Sequence, residues 1–202
     1  MNALELNTGD ILLFNEHPTN CCFKWFTTSI KHCTKSRYSH CGMVLKNEFG
    51  LTGTYVWESS WHPKEKDSKF GVQITPIEEY TKRYPGTVQL YIRKRTGDTI
   101  PTAILERVKK TTEGAPYDIW PCDWVEAKCR CKTRRTTSRF WCSAFVAYIL
   151  TTNGDISKNC DWSMVRAQDL SSSCTRPPFQ WNTLYQDDTR IHHISWPVFS
   201  IY

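Results

Sequence analysis

The chain has 202 residues, 40% of them hydrophobic, with a net charge of +6, ten cysteines and nine each of Trp, Tyr and Phe. That length and balance describe one globular domain with a full apolar core, not a disordered or low-complexity chain. The mild positive charge favours acidic partners without choosing between an anionic membrane and nucleic acid.

In chain order, Leu6-Asn7-Thr8-Gly9-Asp10 is turn chemistry feeding a short buried strand, Ile11-Leu12-Leu13-Phe14. No basic segment followed by an apolar run opens the chain, and no apolar stretch approaches the ~18 residues of a membrane span. The expectation is a cytoplasmic protein, not secreted, with cysteines mostly reduced. Residues 15 to 37 read as a loop and short helix with a basic edge of Lys31, His32, Lys35 and Arg37, a pattern most often simply solvated.

Tyr38 to Leu45 alternates as a strand, with His40, Gly42 and Val44 on one side and Ser39, Cys41, Met43 and Leu45 on the other. Thr54 to Ser59 is its expected antiparallel partner, with Glu58 on the face of Val56. A carboxylate aimed at a buried face needs a partner, and His40 is the nearest candidate. Strands follow over Gly71–Thr75 and Thr87–Ile92, with a polar turn from Ile77 to Gly86 between them. The sum is an antiparallel sheet of about five or more strands. Ile100, Ala103, Ile104 and Val108 then recur at helical spacing up to Gly114, and an aromatic turn, Gly114-Ala115-Pro116-Tyr117-Asp118, closes that stretch.

Lys128 to Arg139 carries six Lys/Arg. Immediately after it, Phe145, Val146, Ile149 and Leu150 fall three, four, seven and eight residues beyond Cys142, the spacing of one buried helix face. Cys142 therefore occupies a helix first turn, where unpaired N–H groups and the positive end of the dipole favour a thiolate. Read alone, such a cysteine is more often a small packing residue. Beyond it, Trp162 to Leu170 reads as a short capped segment. The stretch 176–202 reads as a C-terminal extension packed on the single domain 1–202, ending in a strand over Ile191–Trp196 on which His192 and His193 point to opposite faces.

The combination Gly9-Asp10-Ile11-Leu12, Ser39-His40-Cys41-Gly42-Met43-Val44, Trp57-Glu58-Ser59 and Phe140-Trp141-Cys142-Ser143-Ala144-Phe145-Val146 resembles the circularly permuted branch of the NlpC/P60 papain-like superfamily. That branch includes small bacterial enzymes and poxvirus proteins and is related to lecithin:retinol acyltransferase-like proteins. Histidine precedes cysteine here, as the permuted order requires. The resemblance implies an α+β papain-like fold in which the Cys142 helix packs on the sheet. It also implies a nucleophile Cys142 with His40 as base and Glu58 as third member, and a substrate or oxyanion role for Tyr117 in the Gly-x-Pro-Tyr-Asp turn. The expected activity is a cysteine hydrolase or acyltransferase working through a thioester, on an amide or a lipid ester, with no metal or organic cofactor. A viral member would work in the host cytoplasm or virion. Peripheral contact with an anionic membrane fits the charge, and nucleic acid is the less favoured partner. Two other readings stay open: a catalytically silent module binding an anionic membrane or nucleic acid, and a redox or zinc protein using Cys122, Cys129 and Cys131.

Overall fold

A computed structural model describes residues 5–17, 21–61, 70–83, 88–118, 137–174 and 184–191. Six strands form one antiparallel sheet: β1 (Ile11–Glu16), β2 (His40–Lys46), β3 (Thr54–Trp61), β4 (Phe70–Pro76), β5 (Val88–Arg93) and β6 (Thr189–Ile191), in spatial order β4-β3-β2-β1-β5-β6. Among the described residues four helices accompany it: α1 (Cys21–Thr34), α2 (Ile77–Arg83), α3 (Thr102–Thr112) and α4 (Cys142–Asn153). The protein is α+β. None of the described helices is long and apolar enough to cross a membrane.

Strand alternation divides the core in two. Ile11, Leu13, Cys41, Met43, Leu45, Trp57 and Tyr91 point to the face covered by α3 and α4. Leu12, Phe14, Val44, Val56 and Ile92 point to the other, where Leu6, Ile77 and Tyr80 close over them. The stretch read as a polar turn after Pro76 thus contains a helix, α2. Its two apolar residues, one turn apart, find a sheet face to cover, and Tyr80 packs 4.9 Å from Phe14 between ring centroids.

Helix α4 departs from the expectation of a single buried face. Every residue from Cys142 to Ala147 is buried, as are Ile149 and Leu150. Phe145 packs edge-on to Trp57 of β3, while Tyr148, about one turn further along, meets Trp162, which stacks on Phe140. Two 3-10 turns, Trp162–Met164 and Ala167–Leu170, form the expected capped segment and wall the helix on that side.

The basic edge at the end of α1 is more engaged than a solvated face. Lys31 Nζ donates to Asn15 Oδ1 and the Glu16 carbonyl, each at 2.6 Å, and the Arg37 guanidinium lies 4.5 Å above the Tyr91 ring. The described part of the C-terminal stretch joins the sheet: β6 pairs with β5, and Tyr185 is buried with its hydroxyl donating to the Gly9 carbonyl. Asp188 accepts from Tyr38 Oη at 2.8 Å and the Ser172 amide at 2.9 Å, and lies 3.4 Å from the fully buried Arg93. Of the strand expected over Ile191–Trp196 only Ile191 is among the described residues, where it belongs to β6; the rest of that stretch lies outside them. His192, His193, Cys122, Cys129, Cys131 and the basic run 128–136 lie outside the described residues.

Candidate active site

Four locally determined pieces meet at the N-terminus of α4. His40 opens β2 and Glu58 sits on β3. Met43 opposes Trp57 and Val44 opposes Val56, so the register continued by one residue sets Gly42 against Glu58. His40 and Gly42 share a face, which lets Glu58 reach diagonally along β2 to the imidazole. Glycine is required between them: a Cβ at Gly42 would stand 2.4 Å from Val56 Cγ1 and 3.4 Å from Glu58 Cβ.

Glu58 has no solvent exposure and His40 only 7%. Their contact is a buried ion pair between His40 Nε2 and Glu58 Oε2. Glu58 Oε1 in turn accepts from Thr75 Oγ1 at 2.9 Å and, more distantly, from Gln73 Nε2 at 3.5 Å. Burial, the largest single influence on His40, opposes its protonation. The charge of Glu58 and hydrogen bonds with Cys142 and Glu58 overcome it, and the imidazole is held protonated well above its ordinary range.

Cys142 is the first residue of α4. Trp141 at the N-cap makes no side-chain capping bond, and the first turn has no acidic residue. The helical ladder begins with the Phe145 amide donating to the Trp141 carbonyl at 3.1 Å, so the Cys142, Ser143 and Ala144 amides precede any intrahelical partner. The turn is fixed from three sides. Ser143 Oγ and Trp141 Nε1 both donate to the Val165 carbonyl, at 2.7 and 3.2 Å, and Ser59 Oγ of β3 donates to the Phe140 carbonyl at 2.7 Å. The Cys142 thiol is pulled well below its ordinary range, first by hydrogen bonding with the Cys41 thiol, against the cost of burial, then by the bond to His40 and its charge. With His40 Nε2 committed to Glu58, the nitrogen left for sulfur is Nδ1.

Tyr117 is brought to the same place by backbone. It forms a parallel bridge with Phe140, in which the Phe140 amide donates to the Pro116 carbonyl at 3.1 Å and the Asp118 amide to the Phe140 carbonyl at 3.0 Å. Arg139 pairs with Asp118 across this bridge at 3.0 Å. The turn before Tyr117 rests directly on β4, where a Cβ at Gly71 (φ +126°) would lie 2.1 Å from the Ala115 carbonyl oxygen. Burial, and then the negative charge of Cys142, push the Tyr117 phenol well above its ordinary range, so it remains a donor.

Tyr117, Cys142 and Trp141 line a cleft of about 390 Å³, counted to its open mouth, together with Tyr38, Ser39 and Arg166. Arg166 is already engaged: Nε and Nη2 hold Asp169 at 3.0 and 2.7 Å, and Nη1 donates to the Thr34 carbonyl. Cys142 and Tyr117 border the cleft, while His40 and the fully buried Glu58 lie outside its lining.

All four residues singled out in the sequence are thus assembled around one helix end. Sequence reasoning missed Thr75 and Gln73, whose positions on β4 acquire meaning only through the β3–β4 register. It also gave no role to Cys41, although strand alternation had placed that residue on the face α4 covers. Among the described residues, no group of three or more His, Cys, Asp or Glu side chains is placed to hold a metal ion.

No protein-family model matches the chain, and no curated protein does. Among solved structures it is similar to the crystal structure of metalloprotein yiiX from Escherichia coli O157:H7, DUF1105, with 20% sequence identity and a TM-score of 0.46, over 73% of this chain. The chain spans 66% of the length of that protein.

Proposed function

We propose that the chain is a papain-like cysteine hydrolase or acyltransferase in which Cys142 is the nucleophile, His40 the acid and base, and Glu58 the group that orients the imidazole. The observation carrying this reading is the buried His40–Glu58 pair set against a thiol at an uncapped helix start. Two ionisable strand residues and an acidified cysteine are costly to bury together unless they act together.

In the resting site His40 holds the proton and Cys142 the charge. The thiolate attacks an amide or ester carbonyl carbon, forming a C–S bond and moving the carbonyl π pair onto oxygen. The free amides at the start of α4 receive that oxyanion, and the Tyr117 phenol is positioned to donate beside them. Collapse of the adduct breaks the C–N or C–O bond as His40 Nδ1 delivers its proton to the leaving atom. Water, or an acceptor hydroxyl or amine, then loses a proton to His40 and attacks the thioester. That step releases the acyl product and restores the thiolate. Tyr38, Tyr117, Trp141, Val165 and Ala167 in the cleft wall suit an apolar acyl group, and Arg166 is too fully occupied to draw an anionic one.

The test is the pH dependence of alkylation by iodoacetamide, mapped by mass spectrometry, in the wild type and His40→Ala. Cys142 is expected to react at pH 6 to 7 in preference to the other cysteines, and His40→Ala to suppress that reaction. If Cys142 reacts no faster than the rest and His40→Ala changes nothing, the nucleophile assignment fails. Salt-sensitive binding to anionic vesicles that survives Cys142→Ala, without such reactivity, would mark a binding module instead.

A further inference from the structure

We infer that Thr75 is a positioning residue for this site: its hydroxyl holds Glu58 as the charged, correctly turned partner of His40, so that β4 sets the reactivity of a cysteine two elements away. The inference rests on the proposed nucleophile role of Cys142.

A carboxylate without any exposure must have its lone pairs occupied by donors, or it is better off neutral. Glu58 divides its two oxygens between two tasks. Oε2 meets His40, and Oε1 meets the Thr75 hydroxyl at 2.9 Å, with the Gln73 amide further off at 3.5 Å. The 2.9 Å contact is an ordinary strong hydrogen bond and the 3.5 Å contact is at the limit of one, so of these two donors Thr75 holds that oxygen the more firmly.

The geometry follows from the sheet. Val56 opposes Thr75 and Glu58 opposes Gln73, which makes Thr75 the diagonal neighbour of Glu58 on the same face. Thr75 is itself buried. A β-branched residue on a strand has restricted χ1 freedom, so its hydroxyl is presented to Oε1 with little entropy left to lose. An unanchored carboxylate could rotate its second oxygen toward the imidazole or accept a proton. Either change weakens the imidazolium and hence the thiolate it supports.

The experiment uses Thr75→Val, which keeps the shape and removes only the donor, and Thr75→Ser, which keeps the donor. Iodoacetamide alkylation of Cys142 is followed against pH in the full chain, and His40 is titrated by NMR in parallel. Removing one charge-assisted hydrogen bond is expected to slow alkylation about tenfold at pH 6 to 7. The alkylation midpoint should move up while the His40 midpoint moves down, and Thr75→Ser should restore both. Mere loosening of the fold would not move the two midpoints in opposite directions. Should Thr75→Val fail to fold, Thr75→Ala against Thr75→Ser decides the same question. Unchanged midpoints without the hydroxyl, in a protein whose Cys142 still depends on His40, overturn the role of Thr75 and leave the nucleophile assignment standing. A Cys142 that is unreactive in the wild type overturns both.

Discussion

Gly42→Ala adds one methyl group at the point where β2 passes Glu58. The new Cβ would lie 2.4 Å from Val56 Cγ1, 3.3 Å from the Trp57 carbonyl oxygen and 3.4 Å from Glu58 Cβ. The first distance is far inside contact and the other two are tight. Val56 is fully buried, and its face is closed by Ile77 and Tyr80, so the valine cannot swing clear without displacing them. Overpacking of this kind costs about 1–3 kcal/mol. Against it stands a gain of roughly 0.5–1 kcal/mol from replacing glycine within a strand. The expected net loss is about 1–2 kcal/mol, or about 2–8 °C in melting temperature for a chain of this size. Urea denaturation of Gly42→Ala, Val56→Ala and the double variant checks the cause. Val56→Ala alone should cost about 2 kcal/mol through lost burial and a residual cavity. In that background the added methyl has room, so the double variant should be no less stable than Val56→Ala, a coupling of about 1–3 kcal/mol. Gly42→Ala as stable as the wild type, or additive losses in the double variant, would refute the steric account.

Three further outcomes are expected. Glu58→Gln removes the charge that overcomes burial at His40, and should lower the iodoacetamide reactivity of Cys142 at pH 7 roughly tenfold or more, the value of a hydrogen bond to a charged group. His40, raised in the folded state from 6.5, contributes stability present below that value and lost as pH rises through its folded pKa. Cys142, lowered from 9.0, contributes stability present above 9.0 and lost as pH falls through its folded pKa. Between about 6.5 and 9 the two slopes oppose each other. Cys142→Ser unmasks the histidine, so its stability from urea titrations should fall with rising pH across that window, by at most about 1.4 kcal/mol per unit; a flat or rising profile would contradict the linkage. Asp188→Asn takes the facing carboxylate from the buried Arg93, and should cost about 3–5 kcal/mol in thermal or urea unfolding; a change below 1 kcal/mol would show that Arg93, which also donates to the Leu170 and Gln186 carbonyls, does not depend on Asp188.

Period-two alternation was enough to set His40, Gly42 and Glu58 on one face and Cys41 on the other, because strand geometry is local and neither strand is interrupted. The helix start at Cys142 was equally legible from apolar spacing. What could not be read locally was whatever depends on pairing between distant strands. Thr75 and Gln73 look like ordinary strand residues until the β3–β4 register puts them beside Glu58. The burial of α4 beyond a single face draws on Phe140 and Trp162 packing against Tyr148, and no single window of sequence contains that contact. Ile77 and Tyr80 are too few to make a helical period by themselves, so the sequence alone presents α2 as a turn; the sheet face they cover decides the matter.

The uncapped first turn of α4 also says something about where this protein forgoes stability. A Ser, Thr, Asp or Asn in place of Trp141 would ordinarily add about 1 kcal/mol by occupying one of the open amides. At Trp141 that gain is outweighed by the loss of a buried indole that donates to the Val165 carbonyl. Such a change would also put a competitor for those amides, and with Asp a negative charge, beside the sulfur. The packing of Trp141 and the proposed chemistry of Cys142 therefore both leave this helix end open, and stabilising substitutions sought across this chain should be sought everywhere but there.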